Sequence, residues 1–217
     1  MLAANRVERA TGARGRHPSL LTGMVFDETG ERLTPTHAVK KGTRYRYYVS
    51  TSLVTSIGNN RSGGWRIPSG NLEGFVIARL RSFFADPGAI LDLVNSDSHR
   101  ASVQSQLIER GRQIAEELAG QAPNELKAML KALLCRVEIR SDRVDVALSR
   151  SRLTELLAGT LDKHQHRGSP QEPGDTLTLP VPASLKRAGR EMRLLVENAG
   201  GPDVSRSELA PHPCPRA

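Results

Sequence analysis

The first part of the chain contains short runs that are apolar or rich in Tyr, Val and Thr, which is the length and composition of β-strands. Three such runs lie within residues 20–57: LLTGMVF, RLTPTHAV and TRYRYYVSTSLV. The segments DETGE and KKG separate them, and each contains a glycine suited to a tight hairpin turn. Pro35 weakens the second run and suits an edge strand. We therefore expect a small three-stranded β-meander over residues 20–57.

The apolar period becomes helical between residues 65 and 134. In WRIPSGNLEGFVIARLRSFFADP, Ser69 is the expected helix cap and Pro87 ends the helix. Three further helices are expected, at residues 88–95, 98–120 and 122–134. The longest is either a core helix, part of a local helical hairpin, or a coiled-coil arm. Its apolar stripe is short and interrupted by Gly111, which favours the first two.

Apolar and polar residues alternate strictly in CRVEIRSDRVDVAL, which predicts a β-hairpin. Its expected inward residues are Val137, Ile139, Val144, Val146 and Leu148. A capped helix, SRSRLTELLAG, completes a unit at 135–160, and two strands around a basic loop are expected within 176–198. The order predicts an α+β fold: a small β-ribbon meander, a helical hairpin or bundle, and a second small β element.

Composition separates three further segments from these units. Residues 1–19 are predicted to be a basic linker or the end of a preceding domain, and residues 161–175 a polar linker. Residues 199–217 contain several prolines and few large apolar groups, which predicts a disordered tail.

The chain is strongly basic, with a formal net charge of +8 and a pI of about 10.1. A polyanionic partner fits this balance, because Lys and Arg that neutralise phosphates release condensed counterions. An incidental basic bias of a soluble protein fits it equally well, since net charge does not constrain the fold.

The two cysteines, Cys135 and Cys214, are too few for a disulfide framework and form no CxxC motif. A reduced, cytoplasmic protein is therefore expected. The N-terminus lacks the apolar segment of a signal peptide, and no apolar run approaches the roughly 20 residues of a membrane span. We expect no membrane partner.

The segment KKGTRYRYYVS, residues 40–50, contains every tyrosine of the chain and four cations without an acidic residue. In an extended strand, Arg44, Arg46 and Tyr48 would point to one side and Tyr45, Tyr47 and Val49 to the other. The second set could pack on a helix, while the first would present guanidinium groups that match phosphate oxygens. A solvated basic face explains the same pattern.

Catalytic and metal-binding motifs are absent from the sequence. No GxSxG, Walker, GxGxxG or HExxH pattern occurs, so an independent enzyme is not expected. His37 has no cysteine nearby and is expected to be a hydrogen-bonded residue rather than a zinc ligand. His164 and His166 lie in the predicted linker without four convergent ligands. No cofactor, metal or small-molecule substrate is expected.

The order of these segments resembles the C-terminal region of the large serine site-specific recombinases, in the resolvase–invertase family. HPSLLTGMVFDETGERLTPTHAVKKGTRYRYYVS resembles the segment that follows their DNA-binding recombinase domain. CRVEIRSDRVDVAL and LTLPVPASLKRAGREMRLLVEN resemble their later strands, and LAANRVERATG resembles the end of the preceding domain. The resemblance covers most of residues 2–197.

The resemblance implies a zinc-ribbon-like domain, but without zinc in this chain. Asp27 lies near the position of a first ligand cysteine and Val49 follows RYRYY where another would be expected. Such a ribbon must be held by packing, for which Tyr45, Tyr47, Leu21 and Val25 are the candidates. The family's catalytic serine domain has no counterpart here, so the resemblance implies no enzymatic activity of this chain alone.

The resemblance also implies binding to double-stranded DNA at a recombination site, in the context of integration or a mobile element. The expected contacts are Lys40, Lys41, Arg44, Arg46 and Tyr48. The helices at 98–134 could contact other recombinase subunits, and the location would be the bacterial cytoplasm, at the nucleoid when DNA is bound. The alternatives are a helical self-association module without a DNA role, an inactive recombinase remnant, and an independent hydrolase or nuclease.

Overall fold

The computed structural model describes residues 18–55, 64–94, 101–161, 174–188 and 191–196. Its strands are β1 (Val25–Asp27), β2 (Leu33–Lys40), β3 (Thr43–Ser50), β4 (Arg66–Pro68), β5 (Leu134–Ile139), β6 (Arg143–Ser149), β7 (Thr176–Ala188) and β8 (Glu191–Val196). Its helices are α1 (Thr51–Thr55), α2 (Ser69–Ala85), α3 (Pro87–Leu93), α4 (Ala101–Gly120), α5 (Pro123–Leu133) and α6 (Arg150–Leu157). The predicted α+β class is confirmed. The predicted linker at 1–19, apart from its last two residues, the tail at 199–217 and most of the linker at 161–175 lie outside the described residues.

The larger sheet is built around the hairpin of β5 and β6. Its strand order is β1-β5-β6-β7, extended by β8, which pairs antiparallel with the second half of β7. The register pairs Val137 with Val146 and Ile139 with Val144, as strict alternation requires. All five residues predicted to point inward are fully buried, so the predicted hairpin is confirmed.

The predicted meander over residues 20–57 is wrong in its strand pairing. β1 does not form a sheet with β2 and β3; it runs parallel to β5 in the larger sheet, with Val25 opposite Val137. The Val137 amide donates to the Met24 carbonyl at 2.8 Å, and Val25 is fully buried. The DETGE turn itself forms, closed by Asp27 and by a bridge between Phe26 and Arg32. Burying the apolar side chains of β1 against β5 thus determines its partner, while the turn determines only the local chain reversal.

The smaller sheet has the order β2-β3-β4, so Pro35 lies on an edge strand as predicted. β2 and β3 are joined by a two-residue turn, in which Lys41 has φ 51° and Gly42 has φ 77°. Positive φ at both central residues defines the tight hairpin turn whose twist suits paired strands. β4 pairs with β3 only from Tyr47 to Val49. Residues 37–46, here called the arm, therefore extend beyond the third strand as a two-stranded ribbon.

One continuous apolar core joins both sheets to the helices. α2 contributes Leu72, Val76, Leu80, Phe83 and Phe84, and α4 crosses it at Gly111. α3 begins as Asp86 accepts hydrogen bonds from the Gly88 and Ala89 amides. The predicted Ser69 cap is wrong: Pro68 occupies the cap position without a side-chain hydrogen bond, and Ser69 is the first residue of α2. The positions of α2, α3 and α5 otherwise agree with the sequence predictions.

Candidate nucleic-acid interface

The tip of the arm carries three exposed cations, Lys40, Lys41 and Arg44. Within the described parts of the chain, none of the three forms an ion pair. The sequence from residue 33 to residue 72 contains no aspartate or glutamate that could neutralise them. The turn brings the two lysines beside Arg44, because Lys40 pairs with Thr43 and Val39 with Arg44. The tip is therefore a concentrated, unneutralised positive charge.

Both faces of the arm combine cationic side chains with apolar or aromatic ones. On one face the cross-strand pairs are Lys40 with Thr43 and Ala38 with Tyr45; on the other they are Val39 with Arg44 and His37 with Arg46. Val39 is 66% exposed and Tyr45 is 45% exposed. Eight of the ten arm residues are exposed, and only Ala38 and Arg46 are half-buried. Cations and solvated apolar groups thus lie side by side on a ribbon that has no third strand.

The predicted division of β3 into a presenting and a packing face is wrong in two places. Tyr48, expected to contact DNA, is fully buried, and Tyr45, expected to pack against a helix and to hold the ribbon together, is exposed. Burial along β3 depends on distance from the tip rather than on parity, because only the base of the strand is covered by other elements. Tyr47 and Val49 are buried there on the opposite face from Tyr48. Leu21 and Val25, the other two residues expected to hold the ribbon, are also buried.

At the base of the arm, Tyr48 and Arg46 converge on the carboxylate of Glu73, which α2 supplies. The Tyr48 hydroxyl donates to Glu73 Oε1 at 2.8 Å and accepts from the Leu21 amide at 2.9 Å. The Leu20 amide donates to the same Glu73 oxygen at 2.8 Å. Burial, reinforced by the adjacent Glu73 charge, raises the pKa of Tyr48 well above its ordinary value, so the phenol stays protonated as a donor. Glu73 is only 4% exposed, and we call this group of contacts the Glu73 node.

Arg46 supplies the positive charge of the Glu73 node. Its Nη2 lies 3.4 Å from Glu73 Oε2, and its Nη1 donates to the Pro18 carbonyl at 2.9 Å. The side chain is 25% exposed, in contrast to the exposed Arg44 two residues earlier. The alternation of side chains along β3 predicted that Arg44 and Arg46 lie on one face, but it could not predict that Glu73 of α2 pairs with Arg46.

A second basic residue at the base of the arm was not predicted from the sequence. The Arg66 guanidinium of β4 lies 4.0 Å from the centroid of the Tyr47 ring. A cation over an aromatic face at this distance is attracted by the ring quadrupole. Arg66 therefore covers the face of β3 opposite the Glu73 node.

The outer face of the β5–β6 hairpin is also rich in arginine, but there the charges are paired. Arg140 lies 2.8 Å from Glu138 and 2.9 Å from Asp145, and Arg143 lies 3.2 Å from Asp145. The Arg136 guanidinium contacts Glu138 and stacks over Phe26, 4.1 Å from its ring centroid. Arg143 also lies 3.7 Å from Asp142, so three arginines and three carboxylates of this hairpin cancel, whereas the cations at the tip of the arm form no ion pair with any described residue.

Asp27 and Val49, the two residues that the sequence resemblance placed where ligand cysteines would be expected, make other contacts. The Asp27 carboxylate accepts from the Thr29 amide and hydroxyl, at 3.0 and 2.6 Å, and from the Glu31 amide at 2.9 Å. Val49 is buried in the core of the smaller sheet. Among the described residues no three His, Cys, Asp or Glu side chains are grouped to hold a metal ion. His37 is exposed on β2, while His164, His166 and Cys214 lie outside the described residues.

None of the helices described has both the length and the apolar character needed to span a bilayer.

Comparisons with known proteins give one structural similarity. No protein-family model matches the chain, and no curated protein matches its sequence. A crystal structure of an LSR–DNA complex, where LSR denotes a large serine recombinase, is similar with a TM-score of 0.35 and 15% sequence identity. The alignment covers 62% of this chain and 59% of that one, so this chain spans less than two thirds of that protein's length. A TM-score of this size does not by itself establish a shared fold.

Proposed function

We propose that this protein binds double-stranded DNA through the arm, with Lys40, Lys41 and Arg44 contacting phosphates. The observation that carries the proposal is the cluster of three exposed, unpaired cations at the tip of a two-stranded ribbon. Two-stranded ribbons fit into the major groove of B-DNA, which is about 12 Å wide. The overall charge of +8 would strengthen the attraction to any polyanion at long range.

We further propose that the chain is the DNA-binding portion of a large serine recombinase. It rests on the order of sequence segments given above, and it makes recombination-site DNA the target and other recombinase subunits the protein partners. We assign DNA binding rather than strand cleavage to this chain. A strand-cleavage assay with supercoiled plasmid and added magnesium should give no product, and nicked plasmid at stoichiometric protein would contradict that assignment.

The salt dependence of binding tests the role of the arm. For B-DNA, the slope of log affinity against log salt is about −0.9 for each phosphate neutralised. Replacing Lys40, Lys41 and Arg44 together by alanine should therefore make the slope less negative by up to about 2.7. Fluorescence anisotropy with a labelled duplex over a range of salt concentrations measures it.

A charge-matched variant provides the control. Arg112, Lys127 and Lys131 belong to α4 and α5 rather than to the arm, and their replacement by alanine removes the same number of charges. If the arm makes the contacts, the control should retain most of the wild-type slope. Equal slopes for the two triple variants would show that net charge, and not the arm, determines binding.

Self-association is the second candidate function, because one half of α4 is poorly covered. The residues of α4 that are buried begin at Gly111, whereas Val103 is 37% exposed and Leu107 is half-buried. Sedimentation velocity with and without duplex DNA separates the two functions. A dimer that forms without DNA and is lost in Val103→Glu, while DNA affinity is unchanged, would favour self-association.

A further inference from the structure

Arg44 and Arg46 are two residues apart on one face of β3, yet they have different environments. Arg44 is exposed and forms no ion pair with any described residue. Arg46 is half-buried and binds both the Pro18 carbonyl and Glu73. Its contact with a phosphate would have to compete with a carboxylate that is itself almost entirely buried.

The Glu73 node lies where the arm leaves the sheet. Between Tyr47 and the tip of the arm, β3 has no β4 partner, and an isolated two-stranded ribbon is marginally stable in water. Arg46 is the last arm residue before that point, and its contacts with Pro18 and Glu73 reach the segment before β1 and α2. Tyr48, two residues later on the same face of β3, donates a hydrogen bond to the same carboxylate. These contacts oppose rotation of the arm about its base.

We infer that Arg46 is a positioning residue: with Glu73 it fixes the direction of the arm, while Lys40, Lys41 and Arg44 contact the DNA. This inference rests on the proposed DNA binding, but its structural part concerns the free protein. It replaces the expectation that Arg44 and Arg46 are equivalent phosphate ligands. A fixed arm loses less conformational freedom when it binds, so loosening it should weaken binding without changing the number of phosphates contacted.

Glu73→Gln distinguishes the two roles of Arg46 most sharply. If Arg46 were a phosphate ligand, removing the carboxylate that competes for it should leave DNA affinity unchanged or raise it. If Arg46 is a positioning residue, the same substitution removes its partner and should lower DNA affinity. The two hypotheses thus differ in whether Glu73→Gln loses DNA affinity.

Hydrogen–deuterium exchange of the free, full-length protein tests positioning without DNA. Arg46→Ala and Glu73→Gln should speed exchange at the arm amides by about fivefold, the effect of losing one hydrogen bond of ordinary net strength. Arg44→Ala should leave these rates within about twofold of wild type, and Arg46→Lys, which keeps a charge beside Glu73, should restore most of the protection. Equal exchange in the Arg44 and Arg46 alanine variants would overturn the inference.

Affinity measurements on the same variants complete the test. Arg46→Ala should lower duplex affinity about fivefold at fixed salt with an unchanged salt slope, whereas Arg44→Ala should make the slope less negative by about 0.9. A slope change of that size in Arg46→Ala, or tighter binding by Glu73→Gln, would make Arg46 a phosphate ligand. If Arg46→Ala fails to fold, the double variant Arg46→Ala/Glu73→Gln, which leaves no unpaired buried carboxylate, takes its place with the same expected exchange and slope. If wild-type protein does not bind duplex DNA, the proposed function fails, while the exchange rates still decide whether Arg46 holds the arm.

Discussion

Gly111 allows α2 and α4 to approach more closely than any other residue would. A β-carbon built on it would lie 2.7 Å from the Phe84 carbonyl oxygen and 3.2 Å from two carbons of Ile90. The first distance is about 0.6 Å shorter than the shortest ordinary carbon–oxygen contact of about 3.3 Å. The atom in the way belongs to the backbone, so it cannot turn aside as a side chain could. Gly111→Ala must therefore push the two helices apart or bend one of them.

The expected energy follows from two opposing effects. Alanine in a helix interior is more favourable than glycine by about 1 kcal/mol. Overpacking a well-packed core costs about 1–3 kcal/mol. The backbone clash should prevail, giving a net loss of about 1 kcal/mol in the free energy of unfolding for Gly111→Ala.

Gly74 provides a matched control within α2. It is exposed, lies inside the helix, and a β-carbon there would meet no atom within 4 Å. Gly74→Ala should stabilise the protein by about 1 kcal/mol, since the propensity gain is not opposed. The difference between the two variants, about 2 kcal/mol, isolates the clash because the propensity effect cancels.

Urea unfolding followed by circular dichroism measures both variants. The midpoint should fall for Gly111→Ala and rise for Gly74→Ala with unchanged m-values, so that each shift reports stability. If Gly111→Ala stabilised the protein as much as Gly74→Ala, the close approach of α2 to α4 at this residue would be refuted.

Three further predictions concern stability, pH and metal content. Tyr48→Phe should lower the free energy of unfolding by about 1–3 kcal/mol, because the buried Leu21 amide loses its acceptor and Glu73 loses one of its donors. The exposed Tyr45→Phe should change it by less than about 0.5 kcal/mol in the same urea experiment. Burial acts to raise the pKa of Asp175, but hydrogen bonds from Ser149 and Ser151 outweigh it and the pKa is lowered. The stabilisation from the Asp175 carboxylate should therefore be present above the ordinary carboxyl pKa and disappear as the pH falls through the lowered pKa. The urea midpoints of wild type and Asp175→Asn should converge in acid, and a difference between them that stayed constant with pH would contradict this. Purified protein should contain no stoichiometric zinc by elemental analysis, and one zinc per chain would show that the ribbon-like segment is a metal site after all.

The net charge of +8 does not show where unpaired positive charge lies on the protein, because some arginines are paired with carboxylates and others are not. Arg136, Arg140 and Arg143 of the β5–β6 hairpin contact acidic neighbours two residues away or across the strand pair. Surface ion pairs of this kind add little stability, but they cancel the local field. The arm is a different case, because the sequence from residue 33 to residue 72 has no acidic residue and Glu73, which Arg46 contacts, lies at the base of the arm.

The sequence by itself determined the elements whose local pattern agrees with their surroundings. Alternation identified every buried position within residues 135–148, since both strands of the β5–β6 hairpin lie over one core, but it missed the buried Leu134 at the start of β5. Helical period and proline placement located α2, α3 and α5, and the glycine at residue 42 marked the turn at the tip of the arm. In each case neighbouring residues supply the constraint that defines the element.

Only the tertiary structure decided which distant segments meet. β1 has the composition of a hairpin strand, but it pairs in parallel with a strand more than a hundred residues later. Alternation assigned Tyr48 and Arg46 to one face correctly, yet it could not show that Glu73 of α2 covers that face and removes the phenol from solvent. Side-chain period reports which way a residue points, whereas burial depends on what other part of the chain packs there, and that is determined by the core as a whole.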